Sequence, residues 1–209
     1  MKKVWLLDPG HGGLDENGKY VTPGKRSPVW PDGSQYFEGV GNRDIVKRIA
    51  EGAKKRGIET KFIVEPNDHR DISLPARVDL ANRLYKTIKN AVYVSIHSNG
   101  FSKESANGWS VYTSVGETKS DILATYLYTE ATVKFPGTKF RKDTRDGDPD
   151  QEANFYVLKY TNMPAVLSEN FFHTNTKECK EILMTSEGRQ KIADMHLDWM
   201  EYVDKHPTL

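Results

Sequence analysis

Short apolar runs alternate along the chain with longer segments in which apolar residues recur at helical spacing. The apolar runs are 4–7, 58–64, 91–96, 108–114 and 164–168, and the helical segments are 38–57, 73–89, 120–135 and the C-terminal region around 192–203. Ser73 and Gly57 are typical of a helix start and a helix end. The alternation predicts one α/β domain with a twisted, mostly parallel sheet of about five to six strands and helices on both faces.

Two polar segments lack both kinds of spacing and are predicted to be loops. Residues 12–36 are rich in Gly, Pro, Asp and Ser, and loops of this length in a compact domain are usually functional or disordered. Residues 137–153 are rich in Gly and Asp and are predicted to form a mobile loop. Neither segment has the character of an interdomain linker, so we expect residues 1–209 to form one domain.

Composition narrows the possible partners. The chain has 209 residues, with 30 Lys and Arg against 29 Asp and Glu, a formal net charge of +1. This balance gives no reason to expect nucleic acid or an anionic membrane as a partner. No run approaches the ~20 apolar residues of a membrane span, and the run after Lys3 is shorter than the roughly 7–15 residues of a signal-peptide core. The single cysteine, Cys179, excludes an internal disulfide.

Ionisable side chains follow three of the predicted buried strands. His11, His97 and Glu169 come shortly after the runs at 4–7, 91–96 and 164–168, and Glu38 opens a helix behind the long loop. In open α/β sheets, ligands bind beyond the carboxyl ends of the strands. Two imidazoles and one carboxylate are the side chains of a catalytic zinc site, and a second carboxylate provides acid–base catalysis. The pattern therefore predicts a metal-dependent hydrolase.

Several segments also resemble a known family, in order and over nearly the whole chain. They are DPGHGG, FEGVGNRDIVKRIA, SLPARVDLANRL, VYVSIHSN, FYVLKYTNMPAVLSENFFHTN and GRQKIADM. These segments resemble the zinc-dependent N-acetylmuramoyl-L-alanine amidases of the amidase-3 type. The resemblance implies that one zinc ion (Zn²⁺) per chain is held by His11, Glu38 and His97, with Glu169 as the catalytic residue. It also implies peptidoglycan as substrate, cut at the amide between the lactyl group of N-acetylmuramic acid and L-alanine.

The chain departs from the family pattern in two places. The 27 residues from His11 to Glu38 are more than the family leads us to expect, which makes 12–36 an inserted loop. After Glu169 the family has a small or apolar residue and then glycine, whereas this chain has Asn170 and Phe171. We expect Phe171 to require a different local backbone or a different pocket.

Other residues have weaker functional interpretations. Arg77, Asn99 and Asn170 are candidates for substrate binding, although an ion pair that supports the site is the favoured role of Arg77. His173, four residues after Glu169, could lie near the site, but a surface position is favoured, and we expect His196 to be solvated. Four aromatic residues could stack on sugar rings, but packing is the favoured role of each; they are Trp30, Tyr36, Trp109 and Tyr156.

Two alternatives to the amidase stay open at this point. A zinc peptidase could use the same metal set on a stem-peptide bond, and a degenerate scaffold could be a non-catalytic wall-binding module. In either enzymatic case we expect a monomer that binds peptidoglycan, with no nucleic acid partner and no membrane span. Its place of action would be the bacterial cell wall, as a phage endolysin released through the membrane or as an autolysin whose leader has been removed.

Overall fold

Six strands form one sheet in which the most apolar strands lie at the centre. The computed structural model describes residues 2–206. The strands are β1 (Val4–Pro9), β2 (Glu59–Phe62), β3 (Ala91–Asn99), β4 (Ser110–Thr113), β5 (Gln151–Glu152) and β6 (Ala165–Phe172). Their order is β2-β1-β3-β6-β4-β5, and every pair is parallel except β4 with β6. The predicted mostly parallel sheet is confirmed.

Helices cover both faces of this sheet, as predicted. They are α1 (Glu38–Arg56), α2 (Leu74–Thr87), α3 (Lys119–Lys134), α4 (Tyr156–Tyr160), α5 (Thr176–Glu178) and α6 (Ser186–Lys205), with a π-helical turn at Cys179–Leu183. Trp5 and Leu7 of β1 pack with α1, α3 and α6, whereas Val4 and Leu6 pack with α2 and α4. Successive residues of a strand point to opposite faces, so each central strand contributes to two cores.

Local sequence sets where two of the long helices begin and end. The Ser73 side chain accepts a hydrogen bond from the Ala76 N–H at 3.4 Å and caps the start of α2. Gly57 follows α1 with φ of 65°, in the left-handed region where glycine costs least. Both predicted helix ends are confirmed. In residues 2–206, no helix is both long and apolar enough to cross a bilayer.

The two polar segments are more ordered than their composition predicts. The segment 12–36 makes isolated β-bridges between Leu14 and Tyr20 and between Arg26 and Phe37. It also buries Trp30 and Tyr36. The segment 137–153 contains β5, which pairs with β4, so the prediction of a mobile loop is wrong for those residues. The physical reason is that β5 is a short polar strand at the edge of the sheet. It has no apolar run in the sequence from which a strand could be predicted.

Strands β3 and β6 both continue beyond their apolar runs. His97 and Glu169, which we expected just after strands, lie inside β3 and β6 and face each other in register. The next recorded pair is Asn99 with Phe172, so β6 carries one extra residue, a β-bulge. Phe171 lies at this bulge with φ of 66°, and its buried ring packs against Phe135 with centroids 4.9 Å apart. The backbone at this position has the conformation that glycine adopts most readily. The chain therefore differs from the family pattern in the packing of the Phe171 ring and not in the backbone.

The bulge predicts the effect of restoring the glycine. Phe171→Gly relieves a left-handed backbone that costs roughly 1–2 kcal/mol. It also removes a buried ring, which costs about 3–5 kcal/mol by comparison with Phe→Ala changes. Packing outweighs strain, so we expect a net loss of about 2–3 kcal/mol in the free energy of unfolding, measured by urea denaturation. A variant more stable than the parent would show that strain dominates.

Candidate metal centre

Three potential metal ligands from three different elements meet at one end of the sheet. His11 lies in the loop after β1, Glu38 is the first residue of α1, and His97 lies near the end of β3. Oε1 of Glu38 is 3.2 Å from Nε2 of His11 and 3.1 Å from Nδ1 of His97. One ligand atom from each residue lies within 4.8 Å of the others. The three predicted ligands are therefore brought together.

The spacing of these atoms fits a small tetrahedral cation. Ligand atoms that each lie 2.0–2.2 Å from a zinc ion at tetrahedral angles are separated by about 3.4 Å. The two short nitrogen–oxygen distances from Glu38 are close to that separation. The imidazole rings of His11 and His97 are perpendicular, with centroids 5.0 Å apart. Two nitrogens and one carboxylate oxygen are also the donor set of catalytic zinc sites that keep a fourth position open.

Close backbone approaches make this convergence possible. A Cβ on Gly10 would lie 2.1 Å from Cε1 of His97, and a Cβ on Gly39 would lie 1.8 Å from the carbonyl oxygen of Gly12. Only glycine fits at either position without moving a ligand. These contacts place the His11 loop directly against the start of α1 and the ring of His97.

Two buried arginines hold the backbone of His11, whose φ of 66° lies in the left-handed region. Its carbonyl oxygen accepts hydrogen bonds from Nη1 of Arg43 at 2.7 Å and from Nη2 of Arg77 at 3.2 Å. A non-glycine residue adopts this conformation only where its surroundings impose it. The arginines therefore act as positioning residues for a candidate ligand.

The protonation states of two ligands suit a metal. Burial opposes ionisation of Glu38, but hydrogen bonds and charges from His11 and His97 outweigh it and hold the pKa of Glu38 well below its usual value. Burial lowers the pKa of His97 despite the opposing charge of Glu38. An ionised carboxylate and a neutral imidazole are the forms that bind metal.

Glu169 lies beside this cluster but is not part of it. It faces His97 across the β3–β6 pair, and its Oε2 is buried without a hydrogen-bond partner. Burial raises the pKa of the Glu169 carboxyl well above its usual value, and the charge of Glu38 raises it further. A buried, unpartnered carboxyl group is costly, and such groups mark catalytic positions.

Arg77 is committed to the protein itself. Its guanidinium, 2% exposed, forms an ion pair with Asp8, and it also donates to the carbonyl oxygens of Pro9 and Ile72. Asp8 accepts a second hydrogen bond at 2.5 Å from Tyr93, and burial together with the Asp8 charge raises the pKa of that tyrosine well above its usual value. These bonds support the ion-pair interpretation of Arg77 and leave little for a substrate carboxylate.

The two candidate asparagines differ. Asn99 is partly exposed and lines a cavity beside the ligands, although its Oδ1 accepts from the Gly100 N–H at 2.8 Å. Asn170 is fully buried, accepts from Trp109 and donates to the His97 carbonyl oxygen at 3.0 Å. Substrate contact by Asn170 is not supported, because the amide is inside the protein and fully bonded.

Two histidines expected in solvent are buried, so both predictions are wrong. His173 is 4% exposed, and its Nδ1 lies 3.9 Å from Oε2 of Glu38. His196 on α6 has no exposed surface and lies 3.0 Å from the Ser168 hydroxyl. Phe171 and Phe172, which extend β6, are the feature of the sequence from which a buried position of His173 next to the site could have been predicted.

Of the four aromatic residues weighed for sugar stacking, three are core residues. Trp30, Tyr36 and Trp109 are buried, which agrees with the packing interpretation. Tyr156 is 37% exposed and lines a cavity next to the candidate ligands.

Cys179 is buried, and burial raises the pKa of its thiol to about 11.

Two cavities adjoin the cluster, and His11, His97, Glu169 and Lys25 line both of them. The first, of about 590 Å³, has apolar walls that include Leu74, Phe155, Tyr156 and Val157. The second, of about 470 Å³, is more polar and is lined by residues that include Arg26, Ser98, Asn99 and Thr174. The candidate metal centre thus lies where two halves of an open cleft meet.

Known proteins resemble this chain in sequence and in fold. A family model described as N-acetylmuramoyl-L-alanine amidase (Amidase_3) matches residues 6–201. A Bacillus anthracis protein named an uncharacterized cell wall amidase is 29% identical over 92% of this chain and 34% of its own length. The N-acetylmuramoyl-L-alanine amidase LytC of Bacillus subtilis is 27% identical over 90% of this chain and 34% of its own length. This chain therefore spans about a third of each of these two relatives.

A solved structure has the same fold over almost the whole chain. The crystal structure of an N-acetylmuramoyl-L-alanine amidase from Clostridium difficile 630 is 26% identical and superposes with a TM-score of 0.76. The match covers 97% of this chain and 96% of the other. The single-domain α/β architecture is thus shared with an amidase.

The Asp8–Arg77 pair yields a prediction about stability. Arg77→Met leaves Asp8 as a buried charge without its cation, so we expect a loss of about 3–5 kcal/mol in the free energy of unfolding. The double variant Asp8→Asn/Arg77→Met removes that charge and should regain at least about 1 kcal/mol in urea denaturation. A double variant as unstable as the single one would contradict this role.

The ligand cluster yields a prediction about metal content. His97→Ala removes one of three candidate ligands, and even outer partners of a ligand change metal affinity by about 10–100-fold. We therefore expect zinc affinity to fall by more than about 100-fold, measured by competition with a chromogenic chelator. His206→Ala, which removes a histidine that bonds the carbonyl of Tyr202 on α6, is the matched control. Equal zinc affinity in both variants would exclude His97 as a ligand.

Proposed function

The chain belongs to the Amidase_3 family of N-acetylmuramoyl-L-alanine amidases, and from that premise we propose that it is a zinc-dependent peptidoglycan hydrolase. The bond cut is the amide between the lactyl group of N-acetylmuramic acid and L-alanine of the stem peptide. The observation that carries the proposal is the convergence of His11, Glu38 and His97 beside the unpartnered carboxyl of Glu169. All four residues come from one chain, which supports a monomer with one zinc ion as the active unit.

The residues divide into those that hold a metal and one that moves a proton. His11, Glu38 and His97 would hold the ion, which when bound polarises the substrate carbonyl and lowers the pKa of water. Glu169 is the general base: its Oε2 takes a proton from the attacking water as the new C–O bond forms. The same carboxyl then gives that proton to the departing nitrogen of L-alanine as the C–N bond breaks.

The environment of Glu169 suits both steps. A general acid–base group works best when its pKa lies near the working pH, and burial moves the pKa of Glu169 upward in that direction. Oε2 has no hydrogen-bond partner among residues 2–206, and Glu169 lines both cavities. We therefore expect its carboxyl group to be free to bond to the attacking water and to the leaving amine.

The cleft supports a substrate that extends to both sides of the bond. The reacting residues line both cavities, so the scissile amide lies at their junction, with the glycan on one side and the peptide on the other. A peptidase with the same metal set would need the same geometry, and the products distinguish the two. An amidase frees the amino group of L-alanine and leaves muramic acid without a peptide. Because the proposed substrate is peptidoglycan, we propose that the protein acts at the bacterial cell wall.

Replacement of Glu169 tests the division of roles. Glu169→Gln keeps the size of the side chain but removes the proton acceptor, and general acid–base catalysis contributes about 10²–10⁴-fold in rate. We expect a loss of that size in the release of peptides from purified sacculi, followed by mass spectrometry. Metal analysis should still find one zinc ion per chain.

Two outcomes would contradict the assignment. Retained turnover in Glu169→Gln would mean that another group moves the proton, and loss of zinc would mean that Glu169 is a ligand. Release of peptides that lack an N-terminal L-alanine from parent enzyme digests would favour the peptidase instead.

A further inference from the structure

Lys25 occupies the junction of the two cavities. It comes from the inserted loop and is one of the four residues that line both halves of the cleft. Its side chain is exposed, whereas its backbone is fixed: the carbonyl oxygen accepts a hydrogen bond from the Glu38 N–H at 3.0 Å. The hydrogen bond to the first residue of α1 therefore holds Lys25 beside the reacting residues.

The ammonium group of Lys25 has no anionic partner in the part of the chain that the structure describes. Among residues 2–206, no hydrogen bond or ion pair reaches it. Its neighbour Arg26 is different, because that guanidinium lies over the rings of Tyr20 and Phe37, 5.8 and 6.0 Å from their centroids. Elsewhere the inserted loop does form an ion pair with its surroundings, between Asp32 and Lys180 at 2.6 Å.

Acidic residues that line the same cavities as Lys25, apart from Glu169, already have partners within the protein. Glu38 is bound by the two histidines, and Asp71 accepts a hydrogen bond at 2.7 Å from Thr22 and lies 3.8 Å from Arg77. The positive charge of Lys25 lowers the pKa of Glu169 only in part, against burial. No ion pair joins Lys25 to Glu169 in residues 2–206. The Lys25 ammonium is therefore free to meet an anionic group of a bound substrate.

We propose that Lys25 recognises a carboxylate on the stem-peptide residue that follows L-alanine. This inference rests on the proposed function. The scissile carbonyl lies beside His11, His97 and Glu169. L-alanine and the residue after it extend the peptide by roughly 7 Å, a distance that a lysine side chain at the junction can span. A carboxylate there would gain a charge-assisted hydrogen bond. A carboxamide at the same place would not.

The test compares two substrates that differ in a single group. Uncross-linked glycan–peptide chains are prepared with either a free carboxylate or a carboxamide on the residue after L-alanine, and released peptides are measured by mass spectrometry. We expect the parent enzyme to prefer the carboxylate form by about three- to tenfold in kcat/KM, because the interaction is partly exposed. Added salt should reduce that preference, since it screens exposed charges.

Substitutions separate recognition from other effects of the charge. Lys25→Gln should remove the preference by raising KM for the carboxylate form, with little change for the carboxamide form. Lys25→Arg should keep part of the preference. Lys19→Gln removes one positive charge from the same loop at a residue outside both cavities, and it should behave like the parent.

The other outcomes each overturn a defined statement. A parent enzyme without a preference, or a preference that survives in Lys25→Gln, overturns the role of Lys25 and leaves the amidase function intact. An equal fall in kcat on both substrates in Lys25→Gln would mean that Lys25 acts through Glu169 and does not bind the substrate carboxylate. A parent enzyme that cleaves neither substrate overturns the proposed function, and this inference with it.

Discussion

The site depends on one steric constraint, the contact between the loop that carries His11 and the first turn of α1. At Gly39 a methyl group would occupy the space of the Gly12 carbonyl, and at Gly10 it would occupy the space of the His97 ring. These two glycines allow a loop, a helix terminus and a strand to approach until three ligand atoms lie within 4.8 Å. Any larger residue would have to separate them. The chemistry of the site thus follows from the absence of two Cβ atoms.

Charge is distributed around that contact so that most buried ionised groups are compensated. Asp8 is paired with Arg77, and Glu38 is held by two imidazoles. Glu169 differs from these two groups, since its Oε2 has no partner among residues 2–206 and burial raises its pKa. A stable fold tolerates few such groups because an unpaired buried polar atom is costly. Asp150 has the same two features, a buried Oδ1 without a partner and a pKa that burial raises to about 8, but it lines neither cavity. The unpaired oxygen of Glu169 supports a catalytic role only together with the position of that residue in the cleft.

Much of the fold and the site could be predicted from the sequence, for identifiable reasons. The apolar runs and helical spacings depend on which faces are buried, so they revealed the central strands and the long helices. The glycine-flanked His11 and the strand-associated His97 and Glu169 indicated a metal centre. The predictions that failed depend on partners distant in sequence: β5 forms by pairing with β4, and His196 lies on the buried face of α6, where Ser168 of β6 is 3.0 Å away. The fully bonded state of Asn170 has the same origin.

The segment 12–36, which we predicted to be an inserted loop, contacts the site directly. The Tyr20 hydroxyl accepts a hydrogen bond from the Gly39 N–H at 2.9 Å, and burial raises the pKa of this phenol to about 12, which keeps it neutral. The Lys25 carbonyl accepts from the Glu38 N–H. The insertion thus satisfies two N–H groups at the start of α1, which have no partner within a helix. The segment that binds the helix terminus carrying the candidate ligand Glu38 also places Lys25 in the cleft. The proposed substrate recognition and the geometry of the candidate ligands thus depend on the same hydrogen bonds.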